Sequence, residues 1–92
     1  MKFEWNERKA LRNAQKHRVT FEEAVTVFGD PLSITIADPE HSEDEERFVD
    51  IGNSDNDRVL VVVYTERRGR IRIISGRKAT VAERRLYEKK RS

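Results

Sequence analysis

Hydrophobic and polar positions alternate in several segments of this chain, which predicts β-strands with one buried face. The predicted strands span residues 32–36, 47–52, 59–65 and 71–74. The third of these is apolar on both faces, so we expect it at the centre of the sheet. Residues 3–5 are read as a further short strand or an extended entry to the fold.

Three helices are predicted from their capping residues. Asn6 can cap a first helix that runs to about His17, with few apolar positions and therefore a surface location. Two further helices begin at capping boxes, in which a threonine precedes a glutamate by three residues. These pairs are Thr20 with Glu23, for a helix over residues 21–28, and Thr80 with Glu83, for a C-terminal helix.

The predicted order is a small strand, two helices, four strands in a meander and one helix. Short connections between the strands favour an antiparallel sheet of about four strands. We expect an α+β fold with the helices gathered on one face of the sheet and the other face partly open. The 92 residues are expected to form a single domain, 1–92.

Composition narrows the class of protein. The chain is 36% hydrophobic and 39% charged, which is enough for one small core. It has no cysteine, which excludes a disulfide framework, a zinc ribbon and a thiol nucleophile. The longest apolar run is far shorter than a membrane span, and the first residues carry no apolar signal region. A cytoplasmic protein is therefore expected.

Positive charge is concentrated in residues 70–91, where nine lysines and arginines accompany two glutamates. The whole chain has a formal net charge of only +2, so this segment is unusually basic. Fixed cations next to apolar strand positions indicate a surface that binds phosphate groups.

Several segments also form a pattern when they are taken in order. They are FEWNERK, KHRVTFEEAVTVFGDPL, HSEDEERF running into VDIG, VLVVVYTERRGRIRIIS, and GRKAT followed by ERRLYE. No single segment is diagnostic, but their order and spacing resemble those of the BrnT family of toxin–antitoxin ribonuclease toxins. The resemblance spans nearly the whole chain.

That resemblance implies a fold similar to the RelE-type bacterial ribonucleases. It implies RNA cleavage without a metal or other cofactor, which inhibits translation and growth. It also implies neutralisation by a BrnA-type ribbon-helix-helix antitoxin, and binding of operator DNA only through that antitoxin.

Two positions depart from the family pattern. Arg18 stands where the family usually has glycine, a residue suited to the left-handed conformation that ends many helices. Gly76 stands where alanine is usual, which is expected to loosen the end of the last strand. Neither change removes a candidate catalytic group.

Cleavage without a metal uses the ribose 2′-hydroxyl as the nucleophile, and fixed cations can stabilise the charge that develops on phosphorus. Arg72 and Arg77 are the first candidates for this role; the alternative is that they are solubilising cations of a strand edge. His17 is the candidate acid–base group, or a histidine stabilised by the helix dipole. Tyr87 is a candidate general acid or stacking ring, or a residue that packs the last helix.

Substrate contacts are expected from a second set of residues, each of which has an ordinary structural alternative. The set is Lys16, Tyr64, Thr65, Arg67, Arg70 and Arg84. Tyr64 could stack on a base or belong to the core. The arginines and the lysine could contact phosphate or simply be solvated.

The acidic stretch from His41 to Glu46 is expected to be a solvated loop rather than a metal site, because its spacing matches no calcium loop. Glu46, where the loop becomes a strand, is a further candidate for the general base.

Two other functions remain open at this point. One is a module that binds RNA or DNA on a basic sheet face without cutting it. The other is a non-catalytic partner, such as an antitoxin-bound corepressor, that docks through the apolar edge of residues 32–36. A titratable group beside the arginines would favour the ribonuclease.

Overall fold

A five-stranded sheet organises the part of the chain that the computed structural model describes, residues 1–38 and 46–91. The elements are β1 (Lys2–Glu4), α1 (Glu7–His17), α2 (Phe21–Thr26), a 3₁₀ turn (Val27–Gly29), β2 (Ile34–Asp38), β3 (Arg47–Asn53), β4 (Val59–Arg67), β5 (Arg70–Lys78) and α3 (Val81–Arg91). The strand order is β1-β5-β4-β3-β2, and all neighbours are antiparallel except β1 and β5.

The predicted α+β fold with an antiparallel sheet is confirmed, and β4 lies at the centre of the sheet as expected. The predicted number of about four strands becomes five among the described residues. The additional strand is β1, which pairs in parallel with Arg70–Arg72. The sequence predicted a short strand or an extended segment at residues 3–5. Its place in the sheet depends on a partner strand far along the chain, which no local pattern reports.

The prediction that all helices gather on one face is wrong. Alternate residues of β4 point to opposite faces, and they belong to two different hydrophobic clusters. One cluster packs beneath α1 and α2 and contains Val19, Phe21, Ala24, Val27, Leu60, Val62, Tyr64, Ile71 and Ile73. The other packs beneath α3 and contains Ile34, Ile51, Val61 and Tyr87. The C-terminal helix therefore covers part of the face that was expected to be open.

The helix starts are as predicted. The Asn6 side chain accepts a hydrogen bond from the N–H of Lys9, and Thr20 accepts one from the N–H of Glu23. The second half of the Thr20 capping box is absent, because the Glu23 carboxylate binds Arg58 instead. Two hydrogen bonds from Arg58 and one from Ser54 lower the pKa of Glu23.

The Thr80 capping box forms in full. The Thr80 hydroxyl accepts a hydrogen bond from the N–H of Glu83, and the Thr80 N–H donates one to the Glu83 carboxylate. Helix α3 therefore begins with both of the contacts that the sequence pattern predicts.

Residues 39–45 lie outside the described part of the chain, and with them most of the acidic stretch from His41 to Glu46. No helix among the described residues is both long and apolar enough to cross a membrane.

Candidate functional site

The hairpin between β4 and β5 concentrates arginine at one end of the sheet. Arg67 pairs with Arg70, so the loop consists of Arg68 and Gly69. Both loop residues have positive φ, 52° for Arg68 and 77° for Gly69, as the tightest hairpin turns require. The turn therefore places three arginines within four residues, and Arg72 follows on β5.

A cleft of about 470 Å³ opens beside this hairpin, and we call it the arginine cleft. It is lined by Glu4, Arg67, Arg68, Arg70 and Arg72. The Glu4 carboxylate lies 3.2 Å from Nη1 of Arg72 and 3.6 Å from Nη1 of Arg70. Because four arginines and one glutamate line the cleft in the described part of the chain, it has an excess of positive charge, which favours a phosphate ligand.

Thr65 and Arg47 lie beside Arg72 on the two neighbouring strands of the sheet. Arg72 lies in register with Thr65 of β4, and Thr65 with Arg47 of β3. Two strand spacings place the α-carbons of Arg72 and Arg47 about 10 Å apart. The Thr65 hydroxyl donates to the carbonyl of Glu46 at 2.7 Å. The buried Nε–H of Arg47 has no hydrogen-bond partner in the described part of the chain.

Arg77 is on the same face of β5 but is bound to α3. Its guanidinium donates to both carboxylate oxygens of Glu83, at 2.7 and 2.8 Å. These bonds hold the pKa of Glu83 at about 2 and raise the pKa of Arg77. The strand partners of Arg72 and Arg77 are Thr65 and Val61, so the two arginine α-carbons are about 13 Å apart. The structure does not bring Arg77 into the arginine cleft.

Tyr87 is 1% exposed, and its hydroxyl donates to Oδ2 of Asp30 at 2.5 Å. Asp30 also accepts hydrogen bonds from the backbone N–H groups of Leu32 and Asn53, at 2.9 and 2.8 Å. Tyr87 and Asp30 line a separate cleft of about 360 Å³ that also contains Asp55. That cleft carries carboxylates, which repel phosphate, and Tyr87 does not reach the arginine cleft.

Tyr64 lies on the other face of β4, beneath α1 and α2. Its hydroxyl donates to Oδ1 of Asp50 at 3.0 Å, and Asp50 also accepts a hydrogen bond from Thr35 at 2.7 Å. Burial raises the pKa of both Tyr64 and Asp50. The Tyr64 ring packs against Phe28 and Phe48, with centroid distances of 4.9 and 5.6 Å. Tyr64 is 5% exposed, so its ring is part of the core in this structure.

His17 and Lys16 lie at the end of α1, away from the arginine cleft. They line a shallow groove of about 220 Å³, which we call the α1 groove. Its lining residues are Lys9, Arg12, Asn13, Lys16, His17 and Ile74. Of the predicted catalytic candidates His17, Arg72, Arg77 and Tyr87, the structure places only Arg72 in the arginine cleft.

The two remaining predicted residues lie elsewhere on the surface. Arg84 lines a cleft of about 460 Å³ with Asn53, Asp57, Arg58, Val59, Lys78 and Glu88. Glu46 is exposed immediately before β3, and its carbonyl accepts a hydrogen bond from the Thr65 hydroxyl.

The edge predicted as a docking surface is indeed at the edge of the sheet. Strand β2 is the last strand in the sheet order, and Leu32 and Ile36 are each 45% exposed. Binding of a partner there stays a prediction.

Sequence reasoning missed Glu4 and Arg68. Glu4 reaches the cleft only because β1 pairs with β5, and no local pattern reports that contact. Arg68 had a usable signal, because ERRGR between two apolar strands is a two-residue hairpin with an arginine in the loop.

Comparisons with known proteins agree with this architecture. A family model described as "Ribonuclease toxin, BrnT, of type II toxin-antitoxin system" matches residues 5–83. The 1.1 Å crystal structure of the Brucella abortus ribonuclease toxin BrnT is similar in fold, with a TM-score of 0.65 and 22% sequence identity over 87% of this chain and 97% of that chain. A search of curated proteins found no match. Because the family model spans most of its length, the chain belongs to the BrnT family of ribonuclease toxins of type II toxin–antitoxin systems.

Proposed function

We propose that this chain is a metal-independent endoribonuclease and that it cuts RNA in the arginine cleft. The observation that carries this proposal is a cleft whose described lining consists of four arginines and Glu4, with the Glu4 carboxylate within 4 Å of Arg70 and Arg72. Family membership supports the reaction class. The cleft supplies both kinds of group that the reaction needs, namely cations and one proton acceptor.

In the proposed reaction Glu4 removes the proton of the ribose 2′-hydroxyl. The 2′-oxygen forms a bond to the adjacent phosphorus, the bond from phosphorus to the 5′-oxygen breaks, and water protonates the leaving 5′-oxygen. The products are a 2′,3′-cyclic phosphate and a 5′-hydroxyl. Arg72, Arg70 and the hairpin arginines Arg67 and Arg68 stabilise the negative charge that develops on the phosphoryl oxygens.

Arg47 lies across the sheet from Arg72, with Thr65 between them. The position of Arg47, about two strand spacings from Arg72, supports a contact of its guanidinium to a neighbouring phosphate. Thr65 is buried between the two arginines, so its part in this proposal is to hold the loop carbonyl of Glu46 in place.

The test is cleavage of an end-labelled RNA by purified protein in the presence of EDTA. We expect cleavage with cyclic-phosphate ends. Arg72→Ala should lower the rate by roughly 10²–10³-fold, and Glu4→Gln by roughly 10²–10⁴-fold, while circular dichroism stays unchanged. Arg85→Ala, which removes an exposed arginine of α3, is the matched control and should cleave at the normal rate.

Each other outcome is informative. Loss of cleavage in EDTA would rule out the metal-free reaction. Full activity of Arg72→Ala would rule out the arginine cleft as the reaction centre. Tight RNA binding without any cleavage would favour the alternative of a non-catalytic binding module.

We also propose that the chain inhibits translation and growth and that a BrnA-type ribbon-helix-helix antitoxin neutralises it. The antitoxin is expected to cover the arginine cleft with carboxylates and to provide the only contact with operator DNA. Support comes from the family, which is described as the toxin of a type II toxin–antitoxin system, and from the positive charge of the cleft. Induced expression should stop growth, and co-expression of the antitoxin or the Arg72→Ala change should restore it.

A further inference from the structure

The α1 groove is a second basic surface, and the proposed reaction does not use it. Lys9, Arg12, Lys16 and His17 line it, and none of the acidic residues that the structure describes does. Residues 7–18, which form α1 and its C-cap, contain five lysines and arginines and a single acid, Glu7. The groove therefore attracts anions.

The cations of the groove form a row along one face of α1. Lys9, Arg12 and Lys16 are three and four residues apart, so they share a face of the helix. At 1.5 Å per residue, the row extends over about 10 Å of helix axis. Successive phosphates of a nucleic-acid strand suit a row of cations of that length.

Hydrogen bonds hold the base of the groove against β5. Asn13 is buried, and its side chain holds α1 on the backbone of Gly76 through two hydrogen bonds, at 2.7 and 3.2 Å. The register of β4 and β5 shifts at Val63 and Tyr64, where Ile74 is the extra residue of β5, and the Ile74 side chain lines the groove. An apolar side chain among cations can contact a ribose or a base while the cations bind phosphate.

The groove and the arginine cleft lie along the same strand. Arg70 and Arg72 line the cleft and Ile74 lines the groove, so Ile74 is about 7–13 Å from these two arginines along β5. Helix α1 packs on the opposite face of the sheet from the cleft. Strand β1 pairs with β5 only as far as Arg72, so a strand of RNA that leaves the cleft could reach α1 by passing around the open edge of β5.

We propose that the α1 groove is a second phosphate-binding site, which holds the single-stranded RNA substrate beyond the bond that is cut. The proposal rests on RNA being the substrate of the arginine cleft. In it Lys9, Arg12 and Lys16 contact backbone phosphates, and His17 contacts a phosphate or ribose oxygen instead of the reacting group.

The test measures binding of RNA that cannot be cleaved, so that it does not depend on catalysis. The probes are 2′-O-methyl RNAs of 12 and 3 nucleotides with a fluorescent label, and the readout is anisotropy over a range of salt concentrations. The groove variant combines Lys9→Ala, Arg12→Ala and Lys16→Ala. The control combines Arg8→Ala, Arg85→Ala and Lys90→Ala, which removes the same charge from exposed positions outside both sites.

We expect the groove variant to bind the 12-mer at least tenfold more weakly than the control does, and to lose much less affinity for the 3-mer. The slope of log affinity against log salt should fall by about 2, since each contact to a single-strand phosphate contributes roughly 0.7. Circular dichroism confirms that both variants are folded.

Equal affinity of variant and control for the 12-mer would overturn the proposal. So would an unchanged affinity for RNA together with a specific loss of antitoxin binding, because the groove would then be a protein interface. If the intact chain binds the 12-mer through the groove but never cleaves RNA, the reaction proposed for the cleft fails while the phosphate site stands.

Discussion

The side chain of Asn13 takes the place of a neighbouring strand for Gly76. Its Nδ2 donates to the Gly76 carbonyl at 2.7 Å, and its Oδ1 accepts from the Gly76 N–H at 3.2 Å. Strand β1 pairs with β5 only as far as Arg72, so the outer edge of β5 is open beyond that point. One buried amide therefore satisfies the exposed edge and fixes α1 to the sheet.

Asn13→Ala should lower the free energy of unfolding by about 2–3 kcal/mol, because it removes three hydrogen bonds and leaves buried backbone groups without partners. Urea denaturation measures the change. Gln15→Ala, at an exposed position of the same helix, is the control and should change stability by less than about 0.5 kcal/mol. Similar values for the two variants would mean that the edge contact contributes little.

Gly52→Ala should destabilise the protein by about 1–3 kcal/mol through overpacking. A Cβ on Gly52 would lie 2.8 Å from Cβ of Ser33 and 2.9 Å from Cγ1 of Val27, which is closer than packed carbons come. Gly29→Ala is the matched control, since a Cβ there meets nothing within 4 Å. Thermal unfolding of the two variants should separate them clearly, and equal midpoints would contradict the packing argument.

Tyr87→Phe should reduce stability by about 1–2 kcal/mol, because it removes the hydroxyl that donates to Asp30. RNA cleavage should persist, since the Tyr87 side chain packs from α3 into the core and does not line the arginine cleft. The two measurements are urea denaturation and cleavage of a labelled RNA. A normal stability with a large loss of cleavage would restore Tyr87 as a catalytic candidate.

The ion pair of Arg77 and Glu83 makes stability depend on pH. The folded pKa of Glu83 is about 2, below its ordinary value of 4.5, so its contribution is complete above about pH 4.5 and is lost as the pH falls towards 2. Glu83→Gln should lower stability at neutral pH and flatten this decline. Glu88→Gln, on the same helix, is the control. Parallel curves of stability against pH for wild type and Glu83→Gln would exclude the linkage.

Arg18→Gly should stabilise the protein by about 1 kcal/mol. Arg18 ends α1 with φ 57° and ψ 35°, and its N–H donates to the carbonyl of Ala14. This left-handed conformation is strained for a residue with a Cβ and unstrained for glycine. Arg18→Ala removes the same charge but keeps the Cβ, so it should not stabilise. The comparison of their unfolding midpoints separates backbone strain from charge.

The resemblance to the family bears on Arg18 and Gly76 in different ways. The left-handed conformation expected at Arg18 is present. Gly76, expected to loosen β5, instead sits where a Cβ would approach Ala24 to 3.2 Å and Val19 to 3.3 Å. The small residue therefore allows α2 and the residues around it to lie close to the strand.

Local patterns along the chain were enough to determine the helix starts, the long strands and the central place of β4. Capping and alternation involve residues within one or two turns or strand repeats, so a single sequence records them. The basic character of the C-terminal third was equally visible, and so was the family.

Only the tertiary structure decided which charges share a pocket. Glu4 contacts Arg72 because β1 joins the sheet in parallel with β5. Arg77 is held away from the cleft because α3, which packs on the face opposite to α1 and α2, places Glu83 against it. Both contacts follow from how elements pack, which depends on fitting the whole core. A cluster of cations in sequence is therefore divided in space among the arginine cleft, the ion pair with α3 and the surface of the C-terminal helix.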